Sequence, residues 1–550
     1  MARLDRLGEA TKEVAQIAAA IGREFSYELL TLVAQKSEEE VASSLARLTD
    51  AGLVFCRGTP PRATFLFKHA LVRDAAYGTL LRGSRQALHA RIAGTLEERW
   101  PEIVDAQPEL LAHHFTEAVS NERALQYWQR AGERALRNAA YQESIAHLEK
   151  ALAVAEKLAE SPTLRVLRLR LRIGQGQALI HTKGYAAPET TAAFSRARDL
   201  AVGVEDVTEV FPAYYGLWAG SWVRGELAQA RESAEAFVNG TTNRPKSAEA
   251  GVAQRLLGST SWLQGDFSSA RTYLEKSLAI YDSERDHDLA FRFAQDTGVS
   301  ALIVLALTLW PLGETDRAGQ CAEQAVVRAV ESNQVATLAF AHGYKTLFEM
   351  MRRDISHAGK HAETLLALAN EHAMPQWFAI GTFAEGWARW HAGDRKAGEK
   401  FMADGMALYN EQRIRFPAPL CAVLFAATEA HSGRMDAAFA TLDNTLAEVE
   451  RSGQHHFTAE VYRQLGELLI CEQPLAGRGE EALKRAIEIA RSQDARTFEL
   501  RASTSLARLW HDQGRPAQAR DLLAPIYNRF TEGHETADLK QAKAFLDGSA

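Results

Sequence analysis

Between residues 11 and 21 the apolar residues Val14, Ile17, Ala18 and Ile21 fall at i, i+3, i+4 and i+7, the spacing of one helical face, and Gly22 closes the segment. Ser26 can cap a second helix reaching Ala34. Ser37 with Glu40 three residues on is the capping-box pattern of a third, whose Val41, Leu45 and Leu48 share a face. The period then changes: residues 53–56 and 63–67 are short apolar runs joined by Gly58-Thr59-Pro60-Pro61, which predicts two strands and a turn. Three helices followed by a two-stranded wing predict a winged helix over 1–85. Connecting helices follow over 86–135, and the rest of the chain, 136–550, reads as paired helices.

A phrase beginning at a turn glycine recurs through that last part. Gly265-Asp266-Phe267-Ser268-Ser269-Ala270 returns as G-E-L-A-Q-A at Gly225, G-E-T-D-R-A at Gly313, G-D-R-K-A-G at Gly393, G-R-M-D-A-A at Gly433, G-R-G-E-E-A at Gly477 and G-R-P-A-Q-A at Gly514. The slot at Arg353 keeps the phrase and loses the glycine. Successive starts lie 40, 48, 40, 40, 40, 44 and 37 residues apart, the signature of a helical repeat array. Five residues after each start the residue is small, and nine after it stands Ala, Leu or Met. These positions share one helical face, so a partner helix can approach closely. Gly258 and Gly386, seven before their starts, fit the same close packing. The expected fold is mostly α: the N-terminal winged helix, then an α-solenoid with a polar capping helix after residue 536.

Two features of the array invite a functional reading. Trp222, Trp262, Trp310 and Trp390 each stand three residues before a repeat start. They are either a ligand-stacking ladder or large side chains sealing each helical hairpin, and regular recurrence favours sealing. The single 48-residue interval holds a surplus at 282–299, where an insertion is expected to form a loop on the binding face. Arg292 and Asp296 within it are effector-binding candidates, or, at i and i+4, a structural ion pair. Tyr215 and Trp218, on an aromatic first helix, are candidates for lining an effector groove, although core packing explains aromatic first helices equally well.

Composition narrows the class. The chain has 550 residues, 46% hydrophobic and 24% charged, with a net charge of −7, which argues against general affinity for nucleic acid or anionic membranes. Glu38-Glu39-Glu40 opens the helix that would read DNA, so phosphates would be repelled there. The four cysteines are isolated and no apolar run approaches the ~20 residues of a membrane span, so a reducing, cytoplasmic setting is expected. No G-x-x-x-x-G-K-[ST] and no G-x-S-x-G occur, and no catalytic function is expected of the chain. His357 and His361 share a helix face without a third ligand, so no metal site is expected. The adjacent pairs His113-His114 and His455-His456 are expected to point to different faces and not to converge.

The run Phe67-Lys68-His69-Ala70-Leu71-Val72-Arg73-Asp74 passes from strand to helix with a histidine at the junction, and helices and repeats follow. This resembles the winged-helix and tetratricopeptide segment of STAND-type signalling ATPases. The F-R-F-x-x-D-x-G-V phrase at 291–299 is similar to one in members fused to class III nucleotide cyclases. The resemblance implies that His69 senses nucleotide phosphates presented by a nucleotide-binding domain in cis or in trans; read without it, His69 is equally a capped residue that orients the wing. It implies ATP/ADP as the parent family's cofactor, with none bound by this chain alone. It also implies a protein partner or small effector in the tetratricopeptide groove. The alternatives are a stand-alone tetratricopeptide scaffold and, less favoured, a DNA-binding regulator.

Overall fold

The computed structural model describes residues 2–204, 206–287, 289–472 and 477–548, and all side chains within those ranges but those of Ala2, Arg3, Val207 and Phe291. Asp288 and the Phe291 side chain, both in the expected insertion, therefore lie outside the described residues. The chain divides into two compact units, Met1–Gly174 and Gln175–Ala550.

The first unit opens with helices Glu9–Ile21, Tyr27–Ala34 and Glu38–Asp50. Ser26 accepts from the Leu29 amide, and Ser37 with Glu40 forms the reciprocal capping box that its spacing predicts. Glu38, Glu39 and Glu40 occupy a helical first turn, where the macrodipole favours carboxylates. The sheet has three strands rather than the expected two. β1 (Glu24–Ser26) joins β2 (Val54–Arg57) and β3 (Thr64–Phe67) in the antiparallel order β1-β3-β2, with Phe25 opposite Phe65. Three residues are too few to show a period-two pattern, so β1 is set by its pairing and by Phe25 stacking on Phe65 at 5.8 Å.

Helices Ala70–Gly78, Arg82–Arg99 and Pro108–Glu117 bring together a histidine cluster that the sequence did not suggest. His113 and His114 do converge, both against His89, at ring separations of 5.8 and 5.0 Å. The His89 and His114 Nδ1 atoms lie 2.8 Å apart, so one ring donates and the other accepts. Burial, reinforced by the neighbouring rings, lowers their pKa values to about 4 and about 3 and keeps both neutral. Tyr77 holds the far side of His89 at 2.8 Å.

The second unit is a succession of helical hairpins. Ala248–Leu263 packs on Phe267–Ile280, Thr297–Leu309 on Thr315–Ser332, Val335–Arg352 on Ile355–Glu371, and Pro375–His391 on Arg395–Glu411. Ala418–His431 pairs with Met435–Ser452, Thr458–Glu472 with Arg478–Ser492, and Arg496–Asp512 with Pro516–Tyr527; Ala537–Leu546 follows. The small and apolar positions read from the repeat phrase, among them Ala270 and Leu274, Ala358 and Ala362, and Ala438 and Leu442, are fully buried. At Gly258 an added Cβ would meet Leu274 Cγ at 2.6 Å, which is the close helix approach its position predicts.

What the repeat pattern does not announce is that the array coils back onto itself. The end of each early first helix meets the start of a first helix one turn later. Trp222 lies on Phe416 at 4.9 Å, Trp262 on His456 at 4.7 Å and Trp310 on Phe498 at 5.8 Å, pairs 194, 194 and 188 residues apart in sequence. Backbone bonds stitch the same seam: Arg415 N donates to Val223 O at 2.8 Å and Thr497 N to Pro311 O at 3.0 Å. His456 donates from Nε2 to Phe416 O at 3.1 Å, and burial lowers its pKa to about 3. These three tryptophans therefore join successive turns. They are neither a ligand ladder nor merely the floors of their own hairpins.

The repeat-start glycines divide along the same line. Gly265 (φ +78) lies under the seam, where a Cβ would stand 2.3 Å from Gln493 Nε2 and 3.3 Å from the His455 carbonyl carbon; Gly433 has the same φ of +78 and nothing within 4 Å. Gly433→Ala should cost about 1–2 kcal/mol from the left-handed backbone alone. Gly265→Ala should add a packing cost of about 1–3 kcal/mol. Chemical denaturation of the two variants checks this, and equal midpoints would show that the seam does not constrain Gly265.

Candidate functional site

Among the cavities of the second unit are two whose walls hold buried arginines. The larger, about 470 Å³, is walled by the ends of helices Val335–Arg352 and Pro375–His391 and by helices Ala418–His431, Thr458–Glu472 and Arg496–Asp512. Trp390, the fourth rung of the tryptophan beat, stands here and has no seam partner among the described residues. Its ring meets His391 and His431 edge-on at 4.9 and 5.2 Å, and its indole N–H is without a partner.

Beneath it runs a buried ion network. Arg463 donates from Nε to Glu460 at 3.0 Å and lies 2.7 Å from Glu467. Arg501 donates from Nη1 to Glu460 at 3.1 Å. From Nε and Nη2 it also grips both oxygens of Asp538, at 2.8 and 2.9 Å. Nη2 further reaches Met351 O at 2.8 Å, which ties a first-turn helix end to the second turn. The guanidinium lies 4.5 Å over Trp310. Burial alone would raise the Glu460 carboxyl, but Arg463, Arg501 and Arg353 outweigh it and hold its pKa down to about 2.

Arg353 shows why one repeat lost its glycine. It adopts φ 63, a left-handed conformation costing a side-chain-bearing residue about 1 kcal/mol or more, and its guanidinium reaches within 3.7 Å of Asp538. Although 35% of this side chain is open to the cavity, it sits deep among the surrounding helices. Repulsion from Arg501, then burial, lowers its pKa to about 10. Four arginines (353, 463, 501 and 508) and two glutamates (460 and 467) line the cavity; Asp538 answers Arg353 and Arg501, and exposed Arg508, with no ion pair among the described residues, is the positive charge in excess. The surface is set for a ligand with acidic character.

The smaller cavity, about 30 Å³, lies among Tyr185, Tyr215, Trp218, Arg255, Tyr344 and Gln376. Tyr215 and Trp218 thus flank Arg255, at 5.4 and 5.5 Å from ring centre to guanidinium. Trp218 donates to Thr260 Oγ1 at 3.0 Å. Tyr215, held neutral by burial, has its hydroxyl beside Arg255 and Tyr185 but outside hydrogen-bond geometry with either.

The other sequence candidates are placed elsewhere. Arg292 and Asp296 form no ion pair, because the helix Leu289–Arg292 ends between them and Ala294 turns left-handed at φ 61. Arg292 bonds Glu249 at 2.9 Å and Thr208 O at 3.0 Å, while Asp296 caps the next helix at Val299 N and accepts from Tyr281. The insertion divides: Asp282, Ser283, Glu284, Arg285 and His287 lie exposed at a turn, whereas Phe293 is fully buried against Tyr215 and Gln295 lines the small cavity. His69 is exposed at the junction of β3 and helix Ala70–Gly78, and its side chain makes no capping bond. His361 pairs with His342 at 3.0 Å, and among the described residues no cluster of three or more His, Cys, Asp or Glu could hold a metal. No helix of the described residues is long and apolar enough to cross a membrane.

Residues the sequence reading missed include Glu460, Arg463 and Arg255. The last left a trace: Arg255 is the sole charged residue between 250 and 265, in a run that is otherwise small, apolar or neutral.

No family model matches the chain. It is 23% identical over 519 residues to an uncharacterized protein of Rhizobium meliloti (strain 1021), covering 92% of this chain and 49% of the other, so it spans about half the length of that curated relative. Solved structures with some likeness include a Signal Transduction ATPase with Numerous Domains (STAND) protein with a tetratricopeptide repeat sensor from Pyrococcus horikoshii, at 13% identity, 74% and 64% coverage and TM-score 0.34. A Rap protein complexed with competence and sporulation factor gives 12%, 78% and 98%, and 0.35. The APC/C hetero-tetramer Cut9-Hcn1 gives 12%, 82% and 83%, and 0.42.

Glu460→Gln should be strongly destabilising, by about 3–5 kcal/mol at neutral pH, because it removes the one carboxylate that Arg463 and Arg501 share and leaves Glu467 and Asp538 to answer three clustered guanidiniums. Glu460 has a folded pKa below its ordinary value of 4.5, so its contribution is present above pH 4.5 and fades as pH falls toward about 2. Denaturant titrations at pH 7 and pH 3 check both statements: the gap between wild type and variant should narrow at the lower pH.

Proposed function

We propose that this chain is a non-catalytic sensor and protein-interaction module of a STAND-type signalling ATPase, of the kind linked to nucleotide cyclases. In this reading the repeats are tetratricopeptide-like and take a partner in the larger cavity. The three-helix and three-strand segment at the N-terminus is a winged helix that couples to a nucleotide-binding domain. The observation that carries the reading is the 470 Å³ cavity, with a tryptophan rung whose indole N–H is unbonded, a guanidinium at Arg508 unpaired among the described residues and walls drawn from several helices. A wall built on rigid helices holds such groups in register for an extended segment.

The partner is an acidic segment carrying at least one apolar side chain for Trp390. Arg501 and Met351 tie the cavity wall to two turns of the coil, so a segment that draws on Arg353 and Arg508 would act on the seam as well as on its own contacts. His69, exposed at the end of a strand and without a side-chain cap bond, can donate to a phosphate of a nucleotide held in cis or in trans.

The cavity is tested with a fluorescein-labelled 15-residue Glu/Leu-rich peptide and its Lys/Leu counterpart. The acidic peptide should bind, the basic one should not, and Arg508→Glu should weaken binding at least tenfold while leaving the fold intact by circular dichroism. Equal binding of the two peptides would remove the basis for an acidic partner. Coupling is tested by His69→Ala in a longer relative that carries the corresponding histidine. Faster ADP release is expected, whereas unchanged ADP retention would leave a plain interaction scaffold as the better reading.

A further inference from the structure

The Arg255 chamber contains a charge that no carboxylate among the described residues answers. Arg255 is 1% exposed, and among the described residues no carboxylate pairs with it; its Nε and Nη2 have no hydrogen-bond partner. Taking a guanidinium out of water without a counter-charge costs several kcal/mol. The rings of Tyr215 and Trp218 offset part of that through cation–π contact.

The two free donors are not scattered. Nε–H and Nη2–H share the side-on edge of the guanidinium and point the same way, the fork that meets both oxygens of one carboxylate. The same protein shows this fork filled: Arg501 uses its Nε and Nη2 on Oδ1 and Oδ2 of Asp538. At Arg255 the corresponding space is empty of any acidic side chain, and no residue lining the chamber is acidic. Two further polar atoms there lack partners, the Tyr215 hydroxyl and Gln376 Oε1.

We propose that the chamber binds the carboxylate of a small monocarboxylic acid on the Nε/Nη2 edge of Arg255, with the Tyr215 hydroxyl as a third donor. A volume of about 30 Å³ holds two to three water-sized groups, which suits the two oxygens of a carboxylate head. One guanidinium matches the single negative charge of a carboxylate. The chamber is not fully enclosed, so the body of the acid extends between the aromatic walls toward its open side. The insertion at 282–299 belongs to the design, because its Gln295 closes one wall and is bonded by the Tyr185 hydroxyl at 3.5 Å. The same carboxylate could be carried by a peptide's C-terminus, and the two sources are separable. The inference stands on the chamber alone and is independent of the acidic-segment cavity and of His69.

The test uses the full chain, with isothermal titration and tryptophan fluorescence at constant ionic strength. The probes are acetate and benzoate against acetamide and benzamide, and the tripeptide Gly-Gly-Phe against its C-terminal amide. At least one free acid should bind saturably and its amide at least tenfold more weakly; a preference for the tripeptide would make a chain end the natural source. Arg255→Met should abolish acid binding and melt no lower than wild type without ligand, because an uncompensated buried charge is gone. Arg255→Lys, which keeps the charge and loses the fork, should bind at least tenfold more weakly. Equal binding of acid and amide, unchanged binding by Arg255→Met, saturation of the same signal by sodium chloride, or no binding by any probe would each overturn the proposal.

Discussion

The contact on which the second unit depends is the one between a tryptophan at the end of one first helix and an aromatic ring at the start of another, some 190 residues later. Trp222 on Phe416, Trp262 on His456 and Trp310 on Phe498 repeat it three times, each flanked by backbone or histidine hydrogen bonds across the same line. A solenoid whose repeats touch only their neighbours is approximately a sum of nearest-neighbour terms. Here a second set of contacts, one coil turn apart, makes distant repeats depend on each other. Buried aromatic pairs contribute beyond their area, and the amide-to-carbonyl bonds fix the register in which they meet.

The interior chemistry follows from that coiling. Closing the coil buries residues that an open array would leave on its concave face, and charged residues there must be answered. Arg463 and Arg501 are answered in full by Glu460, Glu467 and Asp538, and the guanidiniums hold the carboxyls of Glu460 and Glu467 below their ordinary pKa. Arg353 joins them at the expense of a left-handed backbone that its sister repeats assign to glycine. Arg255 is the exception, held between aromatic rings with its fork free. Likewise Trp390 repeats the seam tryptophan without a seam partner among the described residues, and its indole N–H is unbonded. In both cases a motif that is satisfied elsewhere in this chain is presented unsatisfied on a cavity wall, and that contrast distinguishes a binding surface from ordinary packing.

Much of the local structure could be read directly. The capping box at Ser37 and Glu40 forms as its spacing requires, and Gly258 is a glycine because Leu274 leaves no room for a Cβ. The inserted segment was located correctly and its first residues are exposed as expected, but its second part turns inward because Phe293 and Gln295 find buried partners, which spacing alone cannot show. Arg292 and Asp296 looked like a helical pair, yet the helix ends at Arg292 and each finds another partner. His113 and His114 looked divergent as neighbours on one helix, and a third ring from another helix, His89, gathers both.

By itself, then, the sequence determined the repeat, the close-packed face of each hairpin, the caps and the turn glycines, all of which are consequences of helical geometry within about 40 residues. The tertiary structure alone decided which repeats meet one turn later, why Gly265 and Gly433 differ, and which arginines are answered. Those outcomes depend on the small rotation between successive hairpins summed over nearly five of them, a quantity set by side-chain volumes throughout the array and carried by no local pattern.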